Sequence, residues 1–328
     1  MASEELHVLR AAQIREQPAD ESSWLVEPLW GAGAVGIIGG APKSCKTWLA
    51  LELAVAVASG QPCLGRFAVP RAGPALVFAA EDAPHQVKSR LQSLARARNA
   101  DFAALDVRLI VENSLRLDRA QDLQRLRLTL ARHRPRLLVL DPYVRLQTAE
   151  ENDARQVSAI LSALRDLSRT FQVAVALVHH ARKNAAQLPG QALRGSGDFW
   201  AWGDSNLYLA RHQDGLLLTV EHRAAPSPAP LSLHLVSSAP GQDLVRLEVQ
   251  QTISPEEPHS VPARNRNEQA ALPQRILSHL AQTGPSRHRD LRTALSVRDK
   301  RLSETLRALE AAGRVAHTPS GWLLIPNQ

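Results

Sequence analysis

The sequence predicts an α/β fold in which a mostly parallel sheet, extended by antiparallel strands, precedes a small helical domain. Between residues 34 and 180, fully apolar runs alternate with segments of helical periodicity, as in parallel strands that helices cover on both faces. Beyond residue 204, three short segments with alternating apolar residues are separated by Gly, Pro and Ser. This second pattern favours antiparallel strands.

The first apolar run is AVGIIGG, which ends in glycines and precedes a helical pattern from about Cys45 to Ser59. Further strands are expected at residues 75–82, 107–111, 136–141 and 173–180, and further helices at about 84–98, 118–133 and 153–170. The antiparallel segments are SNLYLAR, GLLLTVEH and LSLHLV, at residues 205–211, 215–222 and 231–236.

Changes in composition predict four parts of the chain. These are an N-terminal lead-in at 1–29, an α/β domain at 30–253, a polar linker at 254–267 and a C-terminal domain at 268–328. The last domain shows helical periodicity at about 272–282, 287–295 and 297–312, and two apolar runs then flank the turn Pro319-Ser320-Gly321. Three helices and a hairpin predict a winged helix.

The positive charge of the chain is concentrated in this C-terminal domain. Of the net charge of +7, residues 262–328 contribute +6, from 11 Lys or Arg against 5 Asp or Glu. A basic terminal module is typical of proteins that meet a polyanion. If the domain binds duplex DNA, its third helix would present Arg298, Lys300, Arg301 and Arg307, with the hairpin as wing. A protein-binding role and a general arginine bias are the alternatives.

The sequence also bears on location. No apolar run reaches the roughly 18 residues of a membrane-spanning helix. The start MASEELHVLR lacks the basic and apolar parts of a secretory signal, and two cysteines give no disulfide framework. We therefore expect a cytoplasmic protein with reduced cysteines and no membrane partner.

The segment GGAPKSCKT, between the first strand and the first helix, is close to the phosphate-binding pattern G-x-x-x-x-G-K-[ST]. In such a loop, backbone N–H groups and a helix N-terminus bind phosphates, lysine adds a point charge and the hydroxyl binds Mg²⁺. These roles fall on Gly40, Lys46 and Thr47. The residues expected to contact the nucleotide are Gly40, Ala41, Pro42, Lys43, Ser44, Cys45, Lys46, Thr47 and Trp48.

Cys45 stands where the phosphate-binding pattern has glycine. A cysteine adds one small unbranched side chain, at modest cost if the backbone there is close to helical. A helix N-terminus can also lower the pKa of a thiol. A catalytic thiol is therefore the alternative to a residue that the loop merely tolerates.

Polar residues with nucleotide chemistry end three of the later strands. Asp141, at the end of LLVLD, suits the carboxylate that holds Mg²⁺, partly through water. Glu81, in VFAAED, can polarise the water that attacks the γ-phosphate, which predicts hydrolysis of the nucleotide. His179 and His180 end VALVHH, where they could sense the γ-phosphate; simple surface exposure is the alternative.

The ordered set GGAPKSCKT, FAAEDAPHQVKSRL, LLVLDPYVR, ALVHHARK and LRGSGDF resembles RepA-like hexameric replicative helicases and AAA_25-type relatives of the RecA/DnaB class. The resemblance covers about residues 30–223 and implies a RecA-like P-loop NTPase core that binds ATP and Mg²⁺ at subunit interfaces of a hexameric ring. It makes Glu81 the catalytic glutamate, Asp141 the Walker B aspartate and the histidine pair the γ-phosphate sensor. Arg90, nine residues after Glu81, would contact that glutamate or the phosphates.

The resemblance also implies how DNA is bound. The loop at 182–197 falls where such proteins present a nucleic-acid-binding loop to a central channel, so Lys183 and Arg194 would contact single-stranded DNA. Arg211 is the candidate arginine finger, donated by a neighbouring subunit. The implied function is a DNA helicase or remodelling motor of DNA replication. The alternatives are a RecA/RadA-type recombination ATPase and a nucleotide-switched winged-helix regulator without motor activity.

Overall fold

A computed structural model of the chain describes residues 8–13, 22–112, 114–148, 154–180, 198–212, 215–237, 245–250, 266–295, 297, 299–318 and 321–325. The chain divides into two compact units, Met1–Ser254 and Pro255–Gln328, which are treated separately below. Within the described part of the chain, none of the helices has the length and apolar content needed to cross a bilayer.

The first unit is built of eleven strands and five α-helices in its described part. The strands are β1 (Trp24–Val26), β2 (Trp30–Gly31), β3 (Val35–Gly40), β4 (Ala75–Ala79), β5 (Val107–Leu109), β6 (Leu137–Asp141), β7 (Ala174–His180), β8 (Ser205–His212), β9 (Gly215–His222), β10 (Leu231–Ser237) and β11 (Val245–Gln250). The helices are α1 (Lys46–Ser59), α2 (Pro84–Arg96), α3 (Ala120–His133), α4 (Ala154–Phe171) and α5 (Asp198–Trp202).

Nine of these strands form one sheet in the order β11-β10-β9-β8-β3-β7-β6-β4-β5. The pairs from β8 through β3 to β5 are parallel, and β8 to β11 pair antiparallel. This arrangement confirms the predicted α/β fold with a mostly parallel sheet and an antiparallel extension. The edge strand β11 was not predicted, although VRLEVQ does alternate between apolar and polar residues.

Helix α1 lies inside the first unit. Its side chains from Leu49 to Val57 are all buried, and all of them except Glu52 are apolar, which fits a helix inside the core. The sheet covers one side of α1, and β11 also contacts both α1 and α2. Ser93 of α2 fixes that strand, because its hydroxyl donates to the Val245 carbonyl at 2.9 Å and accepts from the Val245 N–H at 2.6 Å. The antiparallel extension therefore curves over the helix that follows the phosphate loop.

The segment before β3 belongs to the same core. Leu25, Val26, Leu29 and Trp30 are fully buried in the cluster that surrounds α1. The predicted lead-in at 1–29 thus includes residues that pack as part of the α/β unit. Their spacing gave no helical or strand period long enough to recognise.

In its described part, the second unit holds three helices and a hairpin. They are α6 (Arg266–Thr283), α7 (His288–Leu295), α8 (Asp299–Ala311), β12 (Val315–Thr318) and β13 (Gly321–Leu324). The predicted apolar face of α8 is observed, since Leu302, Leu306 and Leu309 are buried in its core. Helix α6 begins six residues before the predicted position, inside the segment expected to be a linker.

Candidate functional site

The loop between β3 and α1 has the conformation of a tight, glycine-dependent turn at its start. Gly40 has φ 157°, and a Cβ atom there would lie 2.3 Å from the Leu209 carbonyl oxygen of β8. Glycine is therefore the residue that allows β3 and β8 to pair in parallel up to the loop.

Two residues of the loop without glycine's freedom occupy the left-handed region, Lys43 at φ 63° and Cys45 at φ 61°. The backbone at Cys45 is therefore left-handed, and the condition under which a cysteine would cost little there is not met. A left-handed backbone costs a residue with a side chain about 1–2 kcal/mol, which explains why the pattern has glycine here. The activated thiol is not supported either, because burial raises the pKa of Cys45 and the nearby Arg211 and Lys46 offset this only in part.

Cys45→Gly is expected to raise the free energy of unfolding by about 0.5–1 kcal/mol, because glycine relieves the left-handed strain but loses more entropy on folding. Cys45→Ala removes the thiol and keeps the strain, so it should give no such gain. Urea unfolding of the three chains measures the difference. A destabilised Cys45→Gly chain would contradict the assignment of strain to this residue.

Lys46 and Asp141 are a buried pair of opposite charge. The Lys46 ammonium donates to the Ala41 carbonyl at 2.7 Å, and Lys46 is the first residue of α1. Burial lowers the pKa of Lys46 to about 8, against the attraction of Asp141, Cys45 and Glu81. Burial raises the pKa of Asp141 to about 6, although a hydrogen bond from Thr47 and the charge of Lys46 act in the opposite direction.

Both shifts show that the site holds charges in a poorly solvated place. A lysine ammonium, a threonine hydroxyl and a carboxylate at the end of a parallel strand are the donor set for a phosphate with Mg²⁺. Ser44 also indicates a phosphate ligand, because its hydroxyl is buried and has no hydrogen-bond partner among the described residues. A buried hydroxyl beside a phosphate loop is satisfied when a phosphate oxygen accepts from it. The residues present therefore fit a nucleotide with Mg²⁺.

These side chains line one open cavity of about 300 Å³. Glu81 and Asp82, which follow β4, line this cavity, and each carboxylate is paired with a different arginine. Arg145 donates to Glu81 at 3.1 Å, whereas Arg90 forms two hydrogen bonds with Asp82, at 2.5 and 3.1 Å. The lining residues are Lys43, Ser44, Cys45, Lys46, Thr47, Trp48, Ala79, Glu81, Asp82, Arg90, Asp141 and His180.

A family model described as an AAA domain matches residues 2–186, which is more than half of the chain. The chain belongs to this AAA domain family. It is a family of RecA-like P-loop ATPases, and the matched range contains the whole lining of the cavity. Among solved structures, the chain is similar to the crystal structure of the RadB recombinase, at 16% identity and a TM-score of 0.48. That similarity covers 67% of this chain and 92% of that one.

The AAA domain separates the two histidines that the sequence placed together. His180 is half-buried and lines the cavity. His179 is buried on the other face of the sheet, where its ring stacks on Phe199 at 4.3 Å and meets Tyr143 edge-on at 5.6 Å. Successive strand residues face opposite sides. A direct contact with the nucleotide is therefore open to His180 and not to His179 in this conformation.

Two arginines of the first unit have contacts within it that the sequence did not predict. Arg90 pairs with Asp82 rather than Glu81, and its guanidinium lies 5.7 Å from the centre of the Trp48 ring. Arg211 donates to the Lys43 carbonyl of its own phosphate loop at 2.9 Å. In this conformation Arg211 contacts its own site, whereas an arginine finger reaches the site of a neighbour.

Several of the predicted nucleic-acid-binding residues fall outside the part of the chain that the structure describes. Lys183, Arg194 and Arg298 lie outside the described residues. Arg301 falls within α8, and Arg307 of the same helix is exposed. Sequence reasoning missed Asp82, which lines the cavity, and Arg145, which donates to Glu81. Their positions in the sequence could have indicated them, since Asp82 directly follows Glu81 and Arg145 comes four residues after Asp141.

Asp141→Asn is expected to stabilise the chain at pH 7 in EDTA without nucleotide, by about 1–3 kcal/mol. Because the folded-state pKa of Asp141 is raised to about 6, the folded chain loses stability as the pH rises from about 4 to 6. The full cost is present above that window, and the gain from asparagine should vanish below it. This gain already includes the lost attraction for Lys46, because the pKa of about 6 is the net result of burial and of that attraction.

Urea unfolding at pH 7 and pH 3.5 measures this effect, and Asp118→Asn is its control. Burial raises the pKa of Asp118, but hydrogen bonds from the Thr148 hydroxyl and N–H outweigh it, so the net shift is downward. That carboxylate should contribute stability at pH 7, and its removal should be destabilising. Equal unfolding of wild type and Asp141→Asn at pH 7 would contradict the prediction.

Proposed function

We propose that this protein hydrolyses ATP with Mg²⁺ and couples hydrolysis to single-stranded DNA, as a motor or remodelling enzyme of the RepA-like helicase kind. The observation that carries the proposal is the presence of Glu81 in the same cavity as Lys46, Thr47 and Asp141. A carboxylate beside the phosphate loop is suited to accept a proton from the attacking water. Without such a base, the cavity would bind a nucleotide and hydrolyse it far more slowly.

The roles of the chain's own residues follow from their positions. Lys46 and the N–H groups at the start of α1 bind the phosphate oxygens. Thr47 and Asp141 would hold Mg²⁺, which neutralises charge on the phosphates when it is bound. Glu81 takes the proton of the water, and Arg145 keeps the Glu81 carboxylate oriented through their hydrogen bond. His180 lies where it can contact the nucleotide from the end of β7.

We infer that the stacked rings of His179 and Phe199 connect the nucleotide site to the DNA-binding region. His179 belongs to β7, and its stacked partner Phe199 belongs to α5, which begins directly after the loop at 182–197. A change at the end of β7 would thus be passed to that loop, where Lys183 and Arg194 would contact single-stranded DNA. Sites at subunit interfaces of a hexameric ring would then act in sequence around one strand.

The test is the ATPase rate with and without oligothymidylate, for wild type and Lys46→Ala. We expect DNA to raise the wild-type rate several-fold. Lys46→Ala should abolish activity under both conditions, because the phosphates lose their buried cation. Lys43→Ala is a matched control, since Lys43 lies in the same loop, lines the same cavity and is exposed. A wild-type rate that DNA does not raise would contradict the coupling to DNA. An active Lys46→Ala chain would contradict the assignment of the nucleotide site.

A nucleotide-switched DNA-binding regulator is the second candidate, and the basic C-terminal unit favours it. A winged helix there would bind duplex DNA through α8, with Arg307 on its exposed face. For the full chain, binding to a duplex would then weaken with salt, with a slope of about −0.9 per phosphate contacted. Arg307→Ala should lower that slope by about one contact. If a hydrolysis-deficient chain keeps every DNA-dependent activity, the regulator replaces the motor.

A further inference from the structure

A second cavity of about 470 Å³ lies in the first unit, away from the phosphate loop. Helix α5, strands β8 and β9 and the turn after β9 form it, and it shares no lining residue with the nucleotide cavity. Its lining residues are Trp200, Ala201, Gly203, Asn206, Glu221, His222, Arg223 and Ser227. None of them has a part in ATP hydrolysis as proposed above.

The indole of Trp200 is the main apolar surface of this second cavity. It is 55% exposed, whereas the other five tryptophans, all of them described, are buried or half-buried. The ring is also fixed, because its Nε1–H donates to the Glu221 carboxylate at 2.8 Å. A fixed ring with an exposed face loses little entropy when a flat group stacks on it.

Beside Trp200 lies a fixed cation. The Arg223 guanidinium donates to the carbonyls of Ala201 and Trp202, the latter at 3.2 Å, and pairs with Asp204 at 3.3 Å. Its side chain is nevertheless 49% exposed. The floor of the cavity is closely packed, since a Cβ at Gly203 would lie 1.9 Å from the Asn206 side-chain oxygen.

A fixed aromatic face next to a half-exposed guanidinium matches the chemistry of a nucleotide unit in a single strand. Bases of any sequence stack on aromatic rings, and arginine attracts the adjoining phosphate. We propose that Trp200 stacks on an unpaired base of single-stranded DNA and that Arg223 contacts the neighbouring phosphate. This inference rests on the proposed function, because it names a contact for the strand on which the ATPase acts.

The test compares wild type, Trp200→Ala and Trp200→Phe by fluorescence anisotropy with labelled oligothymidylate. Loss of one stacked base should raise the Kd of Trp200→Ala by about 5- to 150-fold. Trp200→Phe keeps a stacking ring and should stay within a few-fold of wild type. A strand of abasic sugar phosphates is the matched ligand, and wild type and Trp200→Ala should bind it equally. Unchanged ATPase activity without DNA shows that the variants are folded.

The outcomes separate this inference from the function on which it rests. Failure of wild type to bind oligothymidylate overturns both. Tight binding by wild type with an equal Kd for Trp200→Ala overturns the stacking site alone. An equal loss on the abasic strand also overturns it, because stacking requires a base. So does a change of oligomeric state in sedimentation with unchanged DNA affinity, which would make Trp200 a subunit contact.

Discussion

Glu81→Gln is expected to lower kcat for ATP hydrolysis by about 10²- to 10⁴-fold, the usual contribution of a positioned general base. The amide keeps the size of the side chain and can still lie next to Arg145, but it cannot accept the proton of the attacking water. ATP should bind as before, because Lys46, Thr47 and the loop N–H groups are unchanged. Steady-state turnover and calorimetric ATP binding measure the two effects separately.

The neighbouring carboxylate provides the control for Glu81→Gln. Asp82→Asn makes the same charge change in the same cavity, one residue further on, but its carboxylate is held by Arg90. We expect a much smaller loss of turnover from Asp82→Asn. If Asp82→Asn is the inactive variant and Glu81→Gln the active one, the general base is Asp82 and the assignment from strand position is wrong.

Arg98→Met is expected to lower the free energy of unfolding by about 3–5 kcal/mol, the cost of leaving a buried charge without its partner. Glu52 lies in α1 and its side chain is 2% exposed, while that of Arg98 is 9% exposed. Glu52 accepts hydrogen bonds from the Arg98 guanidinium and, at 2.6 Å, from the Leu64 N–H. Methionine keeps most of the arginine's apolar stem and removes the charge.

Two further chains separate charge from packing in urea unfolding. The double variant Glu52→Leu, Arg98→Met should recover most of the lost stability, because no buried charge remains. Arg125→Met breaks an ion pair with Glu112 in which both side chains are about half exposed, and should change stability little. If Arg98→Met unfolds like wild type, the Glu52 charge is solvated in the folded chain and the pair contributes no specific stability.

The sequence was sufficient for the order of strands and helices around the phosphate loop. Each signal there is local: fully apolar strands, helical periodicity, and the glycine and lysine between them. Glu81 and Asp141 could also be predicted, because a polar residue at or just after the end of a buried strand lies at the carboxyl edge of a parallel sheet. The apolar face of α8 followed from spacing in the same way.

The contacts between these elements were not accessible from local patterns. In β7 both faces of the sheet are buried, so alternation gave no indication that His180 faces the cavity and His179 faces Phe199. Ion pairs depend on distances in the folded chain, which local patterns do not give. Glu81 pairs with Arg145, and Arg90 pairs with Asp82. Burial of Leu25 and Val26 likewise depends on helix α1, which lies on the same side of the sheet.

Cys45 shows both contributions at one residue. The sequence by itself determined that a cysteine stands where a phosphate loop has glycine, in a family whose matched range includes this loop. Only the tertiary structure decided what that means: the backbone there is left-handed, at φ 61°, and the thiol is half-buried with a raised pKa. A backbone angle is set by how the loop connects β3 to α1, and residue type indicates a preference for that angle without fixing it.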